Sequence, residues 1–436
     1  MKKKVIKNYR WLIVTLLFAG TVINYLDRQV IGLLKPILEV EFSWTETDFG
    51  RIMSAFSFAY AIGLLVSGKF IDQVGTKLGY TVAVVLWSLA SMIHAVMKTV
   101  TEFGFARLLL GLGESGNFPA GMKAIAEWFP RKERGLATGI FNSGTAVGVV
   151  LALVISPLIL QHFGWREVFW ITGLLGFIWL IFWIRLYNIP SRAKQLGKEE
   201  LTYIEHNQEI ENVPVDTGEK IRWKRLFLFP QTWAIVTGKF LIDPIFWFFL
   251  FWLPSYFSTT FQLDLTRISP ELLIIYSATT IGSIAGGYFS SWLIGRGWAV
   301  IRARKSVLLL FALIEFIIMM SIARLVTDKW VAVGLISLAV AIHQAWATNI
   351  FTLASDMFPK EVVSSVVGIG GMMGAIGGIL FPLLVGYWLD LYKGLGNLAG
   401  GYHLIFTVCG LIYFTAWLII HLLTRRKPVV AKATNG

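Results

Sequence analysis

Long apolar runs separated by short polar stretches make up most of this chain. The runs recur at about 20 residues, the length that crosses a bilayer core of roughly 30 Å. None alternates apolar and polar residues as the strands of a membrane barrel do. The pattern therefore predicts an all-α membrane protein with twelve transmembrane helices. The predicted spans are residues 10–34, 48–68, 79–97, 102–127, 135–159, 165–186, 230–256, 270–294, 304–325, 329–355, 362–390 and 402–423.

The first six predicted spans resemble the last six. Residues 127–130 (Glu-Trp-Phe-Pro) and 139–140 (Gly-Ile) correspond to residues 356–359 (Asp-Met-Phe-Pro) and 368–369 (Gly-Ile), each 229 residues later. Chance similarity between two glycine-rich helices is the alternative explanation. Parallel six-helix repeats of this kind indicate a transporter that holds its substrate between two halves at the middle of the membrane.

One long polar segment, residues 188–225, separates the halves and contains a short amphipathic stretch from Gly197 to Ile210. Most of the 39 Lys and Arg residues fall on the side of the membrane that holds both chain ends. The positive-inside rule makes that side cytoplasmic. We predict an N-terminal six-helix bundle at 1–187, a cytoplasmic linker at 188–227, a C-terminal six-helix bundle at 228–424 and a cytoplasmic tail at 425–436.

Composition excludes several other classes of protein. With 56% hydrophobic and 15% charged residues, a chain of 436 residues is too apolar to be soluble. The net charge of +13 is spread over short loops, which argues against a nucleic-acid partner. One cysteine, Cys409, leaves no multi-cysteine metal site. The sequence also contains no ATP-binding or zinc-protease motif, so we expect no metal and no cofactor.

Residues 111–116 (Gly-Leu-Gly-Glu-Ser-Gly) match the G-x-G-x-x-G pattern of dinucleotide sites. The match lies inside a predicted span and follows no strand, so the dinucleotide interpretation fails. We expect these glycines to allow close packing of helices instead.

Two acids and two arginines lie inside predicted spans, where a charge at the bilayer centre costs roughly 2.5–3.5 kcal/mol. They are Asp27 and Arg28 in the first span and Arg107 and Glu114 in the fourth. Seven helical residues return to within about 20° of the same face, so Arg107 and Glu114 can serve one cavity. Arginine binds carboxylates through a planar fork, and a carboxylate in a low-dielectric cavity can carry a proton near neutral pH.

These properties suggest a division of labour among the four residues. We assign Arg28 to an anionic substrate, Asp27 and Glu114 to proton coupling, and Arg107 to adjusting the proton affinity of the two acids. Pairing that only holds helices together is the alternative. Lys123, which follows Pro119, can bind a second polar group of the substrate or lie along its helix with its amine at the membrane surface.

The tenth predicted span contains a cluster of amides, a hydroxyl and an indole. Amides that bond hydroxyls and an aromatic ring that packs on a sugar are typical of a sugar-binding wall. Hydrogen bonding between helices is the alternative. The cluster consists of His343, Gln344, Trp346, Thr348 and Asn349.

The turn after the second span resembles the signature loop of the major facilitator superfamily. Its sequence, residues 68–77, is Gly-Lys-Phe-Ile-Asp-Gln-Val-Gly-Thr-Lys, and the corresponding segment 286–294 contains no acidic residue. We therefore expect the ionic contact made by this turn to be weaker in the second half. The resemblance implies a gating loop formed by Gly68, Asp72, Gly75 and Lys77.

Across the whole chain the sequence is similar to the anion:cation symporter branch of that superfamily, which includes bacterial sugar-acid importers. Residues 24–28 (Asn-Tyr-Leu-Asp-Arg), 107–114 and 127–134 carry the similarity, together with Tyr60. The resemblance implies that Tyr25 and Arg28 contact substrate and that Tyr60 and Thr348 line the pocket. It also links Asp27 and Glu114 to protons.

Within this branch, residues 119–123, 243–244 and 341–345 are most similar to hexuronate transporters, which take up glucuronate and galacturonate. Gly371 departs from galactonate-type carriers, which have a polar pocket residue there. We predict a monomeric proton-coupled hexuronate symporter of the cell inner membrane. Galactonate, galactarate or another small organic anion is the alternative substrate. A membrane enzyme or a sensor fits less well, because the acids are buried within spans and the linker is too short for an output domain.

Overall fold

The computed structural model describes residues 7–44, 46–209, 221–262, 270–326 and 328–425, and these residues form α-helices joined by short turns, with no strand. The α-helices are α1 (Tyr9–Phe42), α2 (Glu46–Val74), α3 (Thr76–Ile93), α4 (Val100–Glu114), α5 (Asn117–Trp128), α6 (Arg131–His162), α7 (Trp165–Leu186), α8 (Lys198–Glu209), α9 (Pro230–Phe261), α10 (Pro270–Gly295), α11 (Val300–Arg324), α12 (Lys329–Met357), α13 (Val363–Gly394) and α14 (Leu398–Leu423). The described residues also include three short 3-10 helices, at His94–Val96, Pro190–Arg192 and Trp223–Leu228.

Eleven helices in the described part of the chain are long and apolar enough to cross a membrane. They are all of the α-helices except α4, α5 and α8. Helices α4 and α5 follow each other and together make the twelfth span. The predicted all-α membrane fold is confirmed, and the predicted amphipathic stretch after Gly197 is helix α8.

The predicted span 102–127 is divided into two helices, because α4 ends at Glu114 and α5 begins at Asn117. Pro119 has no N–H to donate to the carbonyl of Ser115, and the neighbouring glycines have low helix propensity. The hydroxyl of Ser67 on α2 donates to that carbonyl at 3.1 Å. A backbone group released by the break is thus satisfied inside the membrane, where an unpaired carbonyl is costly.

Contacts between the two halves repeat with the same symmetry as the sequence. Helix α2 packs on α13, and α10 packs on α6. The backbone of Ser364 lies against Gly68, and the backbone of Gly135 lies against Gly287. Ser364 and Gly135 are 229 residues apart, which is the offset of the sequence repeat. Glycine is required at residues 68 and 287 because a Cβ there would overlap the facing carbonyl.

Helix α8 of the linker is tied to the start of α1. Glu200 accepts the backbone N–H groups of Tyr9 and Arg10 at 2.8 and 3.2 Å, and it lies 2.7 Å from the Arg10 guanidinium. Arg10 also pairs with Glu133 on α6 at 2.8 Å, and Glu133 accepts the Tyr203 hydroxyl. Burial, followed by this bond to Glu133, raises the pKa of the Tyr203 phenol. The first N–H groups of α1 therefore have an acidic acceptor.

Candidate functional site

An ion pair between α1 and α4 forms the centre of the candidate site. Arg28 Nε lies 2.7 Å from Glu114 Oε2, and the two side chains are 13% and 0% exposed. The rings of Tyr25 and Tyr60 lie 4.5 and 4.6 Å from Cζ of Arg28, within cation–π range. Among the described residues, Arg28 Nη2 and Glu114 Oε1 have no hydrogen-bond partner. The pair therefore retains a donor for an anion and an acceptor for a proton.

Arg107 supports this pair from the same helix as Glu114. Its Nη2 donates to the carbonyl of Arg28 at 3.0 Å, and its side chain is 1% exposed. The Phe56 ring lies 5.1 Å from Cζ of both arginines. The two guanidiniums thus share one aromatic neighbour, and Arg107 holds the α1 backbone at the residue that carries the free donor.

Asp27 lies on a different face of α1 from Arg28. Its Oδ1 accepts the Ser91 hydroxyl of α3 at 3.0 Å, and its side chain is 1% exposed. Oδ2 has no hydrogen-bond partner among the described residues. Consecutive helical residues point about 100° apart, so Arg28 faces Glu114 and Asp27 faces α3. The structure places Asp27 next to the candidate site without joining its carboxylate to the ion pair.

The tenth-span cluster does not form one wall. Asn349 donates to the carbonyls of Gly286 and Ala345, and Thr348 bonds to Ser283 at 3.0 Å. The Asn349 amide thus joins α12 to α10, as the helix-packing alternative describes. Gln344 accepts from Asn142 of α6 at 3.3 Å, which bridges the two halves.

The remaining two residues of the cluster face α14. His343 Nδ1 lies 2.6 Å from the Tyr413 hydroxyl, and the Trp346 ring meets Tyr413 edge-on at 5.5 Å. Trp346 is fully buried, and its indole N–H has no hydrogen-bond partner among the described residues. The structure therefore divides the cluster between the α6–α10 side and the α14 side of α12.

Lys123 lies with the gating loop and not with Arg28. Its Nζ is 2.9 Å from Asp72 Oδ1, and the two side chains are 6% and 8% exposed. The other oxygen of Asp72 accepts the backbone N–H of Ser365 in the first turn of α13 at 2.7 Å. A carboxylate at a helix N-terminus is favourable because it meets free N–H groups and the positive end of the dipole. Asp72 therefore joins the two halves.

The other gating-loop residues shape the turn between α2 and α3. Gly75 has φ +89°, which a residue with a side chain adopts at a cost. Lys77 donates to Oδ1 of Asn188, the first residue of the linker, at 3.2 Å. We call the part of the bundle that carries this turn, Arg134 and Asp356 the Asp72 end.

Ser291 occupies the position in the second half that corresponds to Asp72. Its hydroxyl accepts the backbone N–H of Leu136 in the first turns of α6 at 3.3 Å, as Asp72 accepts that of Ser365. This contact carries no charge, in agreement with the expectation that the ionic contact is weaker in the segment 286–294. The sequence pattern did not predict the ionic group of Asp356, Arg134 and Arg304 at the same end of the molecule.

Asp356 lies between two arginines at the Asp72 end. Its Oδ2 is 2.9 Å from Arg304 and its Oδ1 is 3.5 Å from Arg134, and Asp356 and Arg304 have no exposed side-chain surface. Arg134 also donates to the carbonyl of Ser355 at 2.7 Å, and Arg304 donates to that of Arg131 at 3.1 Å. Each arginine therefore bridges the halves. The repeat of residues 127–130 at 356–359 drew attention to Asp356 in the sequence. Its partner arginines lie far away along the chain, so the sequence did not predict the pairing.

The halves also meet through two aromatic rings. Phe118 of α5 stacks on Phe351 of α12 with centroids 5.0 Å apart and planes at 13°. Lys239 Nζ lies 4.0 Å from the centroid of Phe351 and 2.7 Å from Asp243 Oδ2. The sequence shows Lys239 and Asp243 four residues apart just before Pro244, but this spacing alone did not predict a role for the pair. Lys239 and Asp243 belong to one helix, whereas Arg28 and Glu114 join two.

The described part of the chain contains no group of three or more His, Cys, Asp or Glu residues that could hold a metal ion. The glycines at 111 and 113 lie against the backbones of α2 and α3. They serve close helix packing, as the sequence predicted.

Comparison with known proteins agrees with this architecture. The family model described as Major Facilitator Superfamily matches residues 17–382. A hexuronate transporter of Escherichia coli (strain K12) is 31% identical over 434 residues, covering 98% of this chain and 97% of the relative. A D-galactonate transporter of Escherichia coli O6:H1 is 27% identical and covers 88% of this chain and 90% of the relative. A "Probable galactarate/D-glucarate transporter GarP" of strain K12 is 29% identical, with coverage of 87% and 88%.

Solved structures share the fold at low sequence identity. The proton:xylose symporter XylE, bound to 6-bromo-6-deoxy-D-glucose, has a TM-score of 0.73 at 17% identity, with 95% of each chain covered. FucP in the outward conformation has a TM-score of 0.65 at 15% identity, covering 96% of this chain and 100% of that one. The resemblance to anion transporters inferred from the sequence is confirmed by the curated relatives. The chain is a multi-pass membrane transporter, not an enzyme, and it belongs to the Major Facilitator Superfamily.

Proposed function

We propose that this transporter is a proton-coupled symporter that imports a sugar acid, and that hexuronates such as glucuronate and galacturonate are its substrates. The observation that carries the proposal is the buried pair of Arg28 and Glu114, which keeps one free guanidinium donor and one free carboxylate oxygen. The similarity to a hexuronate transporter over nearly the whole of both chains supports the choice of substrate.

The pair explains how an anion and a proton become linked. When Glu114 is ionised it occupies Arg28 and competes with the carboxylate of the substrate. Protonation of Glu114 removes that competitor, and Arg28 is then available to bind the substrate through its fork of N–H groups. Loss of the proton on the other side of the membrane restores the competition and releases the anion. Substrate and proton therefore bind together and leave together.

The neighbouring residues take supporting roles in this proposal. Tyr25 and Tyr60 flank the guanidinium and can pack against a sugar ring while their hydroxyls bond it. Arg107 holds the backbone of Arg28, and Asp27 acts as a second proton carrier beside the pair. Lys123 belongs to the closure at the Asp72 end, because its amine pairs with Asp72.

We further propose that the protein works as a monomer in the cell inner membrane with both termini in the cytoplasm. Residues 1–187 and 228–424 then form the two bundles, and residues 188–227 link them on the cytoplasmic side. In this orientation the Asp72 end is the cytoplasmic end. The contacts of Asp72, Arg134 and Arg304 across the halves then close the cytoplasmic exit.

Uptake by proteoliposomes tests the proposal. Purified protein is reconstituted, and accumulation of radiolabelled glucuronate is measured with and without an inward proton gradient, with galacturonate, galactonate and galactarate as competitors. We expect gradient-driven accumulation that galacturonate competes with. Galactonate or galactarate as the stronger competitor would instead favour the alternative substrates.

Two variants test the assigned roles. Glu114→Gln should abolish gradient-driven accumulation and preserve exchange of substrate across the membrane, because an amide cannot carry the proton. Arg28→Ala should weaken binding by roughly 10- to 150-fold, since a hydrogen bond to a charged group contributes about 1.5–3 kcal/mol. The controls are Glu205→Gln on the exposed surface of α8 and Arg51→Ala, whose side chain is 73% exposed. Full accumulation by Glu114→Gln would refute proton coupling through this residue.

A further inference from the structure

The ion pair on α9 is a second charged group in the membrane interior, and neither the family assignment nor the proposed coupling uses it. Lys239 and Asp243 lie one turn apart, with Nζ and Oδ2 separated by 2.7 Å. The Lys239 side chain is 7% exposed and that of Asp243 is 23% exposed. Within a transmembrane bundle, a partly exposed carboxylate faces a cavity or a neighbouring polar surface.

Helix α13 covers one side of this pair. A Cβ at Gly374 would collide with the carboxylate of Asp243, and a Cβ at Gly370 would lie 3.4 Å from Cγ of Lys239. The Phe351 ring covers the amine of Lys239 from α12, at 4.0 Å. The small residues of α13 thus allow a close approach, and the pair is held in place by packing on these two sides.

The pair lies near the boundary with the first half of the molecule. A Cβ at Gly371, the residue after Gly370 on α13, would lie 3.3 Å from the Leu64 side chain on α2, and Leu64 is one turn from Tyr60, whose ring flanks Arg28. Arg28 is itself 13% exposed. Each half therefore contributes one ion pair near this boundary.

The two sides differ in what they offer a ligand. On the first-half side, Arg28 has a free N–H group, and Arg107 adds a second positive charge beside it. On the second-half side, Lys239 and Asp243 neutralise each other. A neutral pair of an ammonium donor and a carboxylate acceptor matches the hydroxyl groups of a polyol, each of which both donates and accepts. It does not match a second carboxylate, which Asp243 would repel.

We propose that Lys239 and Asp243 bind hydroxyl groups of the substrate and select sugar acids with one carboxylate over sugar acids with two. The inference rests on the proposed sugar-acid transport and narrows its substrate class. The single carboxylate binds Arg28, and the hydroxyl-bearing end of the substrate binds the α9 pair. Monoanionic uronates are accepted, whereas dianionic aldarates place their second carboxylate against Asp243.

Competition binding to the purified full-length protein measures this selectivity. Labelled glucuronate is displaced by unlabelled glucuronate, galacturonate, glucarate or galactarate, which compares ligands of similar size and different charge. We expect the wild-type protein to bind each uronate at least about tenfold more tightly than the aldarate of the same configuration, because like charges at a binding site are strongly disfavoured. Equal affinity for the two classes would overturn the inference.

Asp243→Asn tests the residue that rejects the second charge. The asparagine has nearly the same shape and leaves Lys239 with an uncompensated positive charge. Affinity for uronates should fall, affinity for galactarate should rise, and the preference should shift toward the dianion by at least about tenfold. Lys239→Gln is the complementary variant: it should weaken uronate binding and leave the aldarates excluded. Glu205→Gln on the surface of α8 is the control and should change neither affinity.

The outcomes separate the inference from the proposed function. An unchanged preference in folded Asp243→Asn would overturn the inference, while proton-driven glucuronate uptake by the wild-type protein would still support sugar-acid symport. If Asp243→Asn does not fold, the wild-type preference and Lys239→Gln decide the question. Absence of binding by uronates and aldarates alike would refute the proposed substrate class and the inference together.

Discussion

Replacing Asp72 by alanine should open the Asp72 end of the transporter. Asp72 accepts the N–H of Ser365 in the first turn of α13 at 2.7 Å, and its side chain is 8% exposed. A hydrogen bond to a charged group contributes about 1.5–3 kcal/mol, and a carboxylate at a helix N-terminus adds about 0.3–1 kcal/mol. We expect a loss of about 2–3 kcal/mol from the closed state, which shifts the equilibrium roughly 30- to 150-fold toward the open one.

The pseudo-symmetric contact of Ser291 provides a matched control. Its neutral hydroxyl accepts the N–H of Leu136 at 3.3 Å, and such a bond contributes about 0.5–1.5 kcal/mol. Ser291→Ala should therefore shift the equilibrium about twofold to tenfold. Asp72→Asn should fall between the two alanine variants, because the amide oxygen can still accept the bond but the negative charge at the helix terminus is lost.

Distances between spin labels measure the shift. Gln73 and Arg302 are exposed at the Asp72 end and belong to opposite halves. The one cysteine, Cys409, is buried and can be replaced by alanine before labelling. Pulsed electron paramagnetic resonance in nanodiscs should show a longer distance gaining population in the order Ser291→Ala, Asp72→Asn, Asp72→Ala. A shift in Ser291→Ala as large as that in Asp72→Ala would refute the argument from charge.

Two further predictions concern stability and the linker. Glu315 is fully buried on α11 and neither of its carboxylate oxygens has a hydrogen-bond partner among the described residues, so Glu315→Met should raise the unfolding temperature by removing a cost of about 1–3 kcal/mol. A lower unfolding temperature in scanning fluorimetry would contradict this. Glu200→Ala should speed proteolysis of the 188–227 segment, because Glu200 ties α8 to the start of α1. Equal cleavage of Glu200→Ala and Glu205→Ala, whose side chain is exposed, would show that this tie is unimportant.

The break in the fourth span shows the limit of hydropathy. Residues 102–127 are apolar enough to cross the membrane, and length alone predicts one helix. Pro119 and the nearby glycines argue against an unbroken helix, but a proline is tolerated in many membrane helices. At the break, the carbonyl of Ser115 accepts its hydrogen bond from Ser67, on another helix. A stabilising partner from a distant segment is invisible to a local pattern.

The tenth-span cluster shows a second limit. The side chains of Thr348 and Asn349 can bind the hydroxyls of a sugar, and they can equally well form hydrogen bonds between helices. The neighbouring α10 supplies acceptors and donors at Gly286 and Ser283. Chemistry alone does not choose between these partners, because the choice depends on which helix packs against which face.

The sequence by itself determined the number of spans, the twofold repeat, the transporter family and the presence of buried charges on α1 and α4. The spans follow from hydrophobic length and the weight given to the charges follows from their cost in lipid, while the repeat and the family are read from short sequence segments. Tertiary structure alone decided that Arg28 pairs with Glu114, that Lys123 pairs with Asp72 and that Asp356 lies between Arg134 and Arg304. Each of these pairs joins different helices, and only packing fixes which charged side chains come within bonding distance.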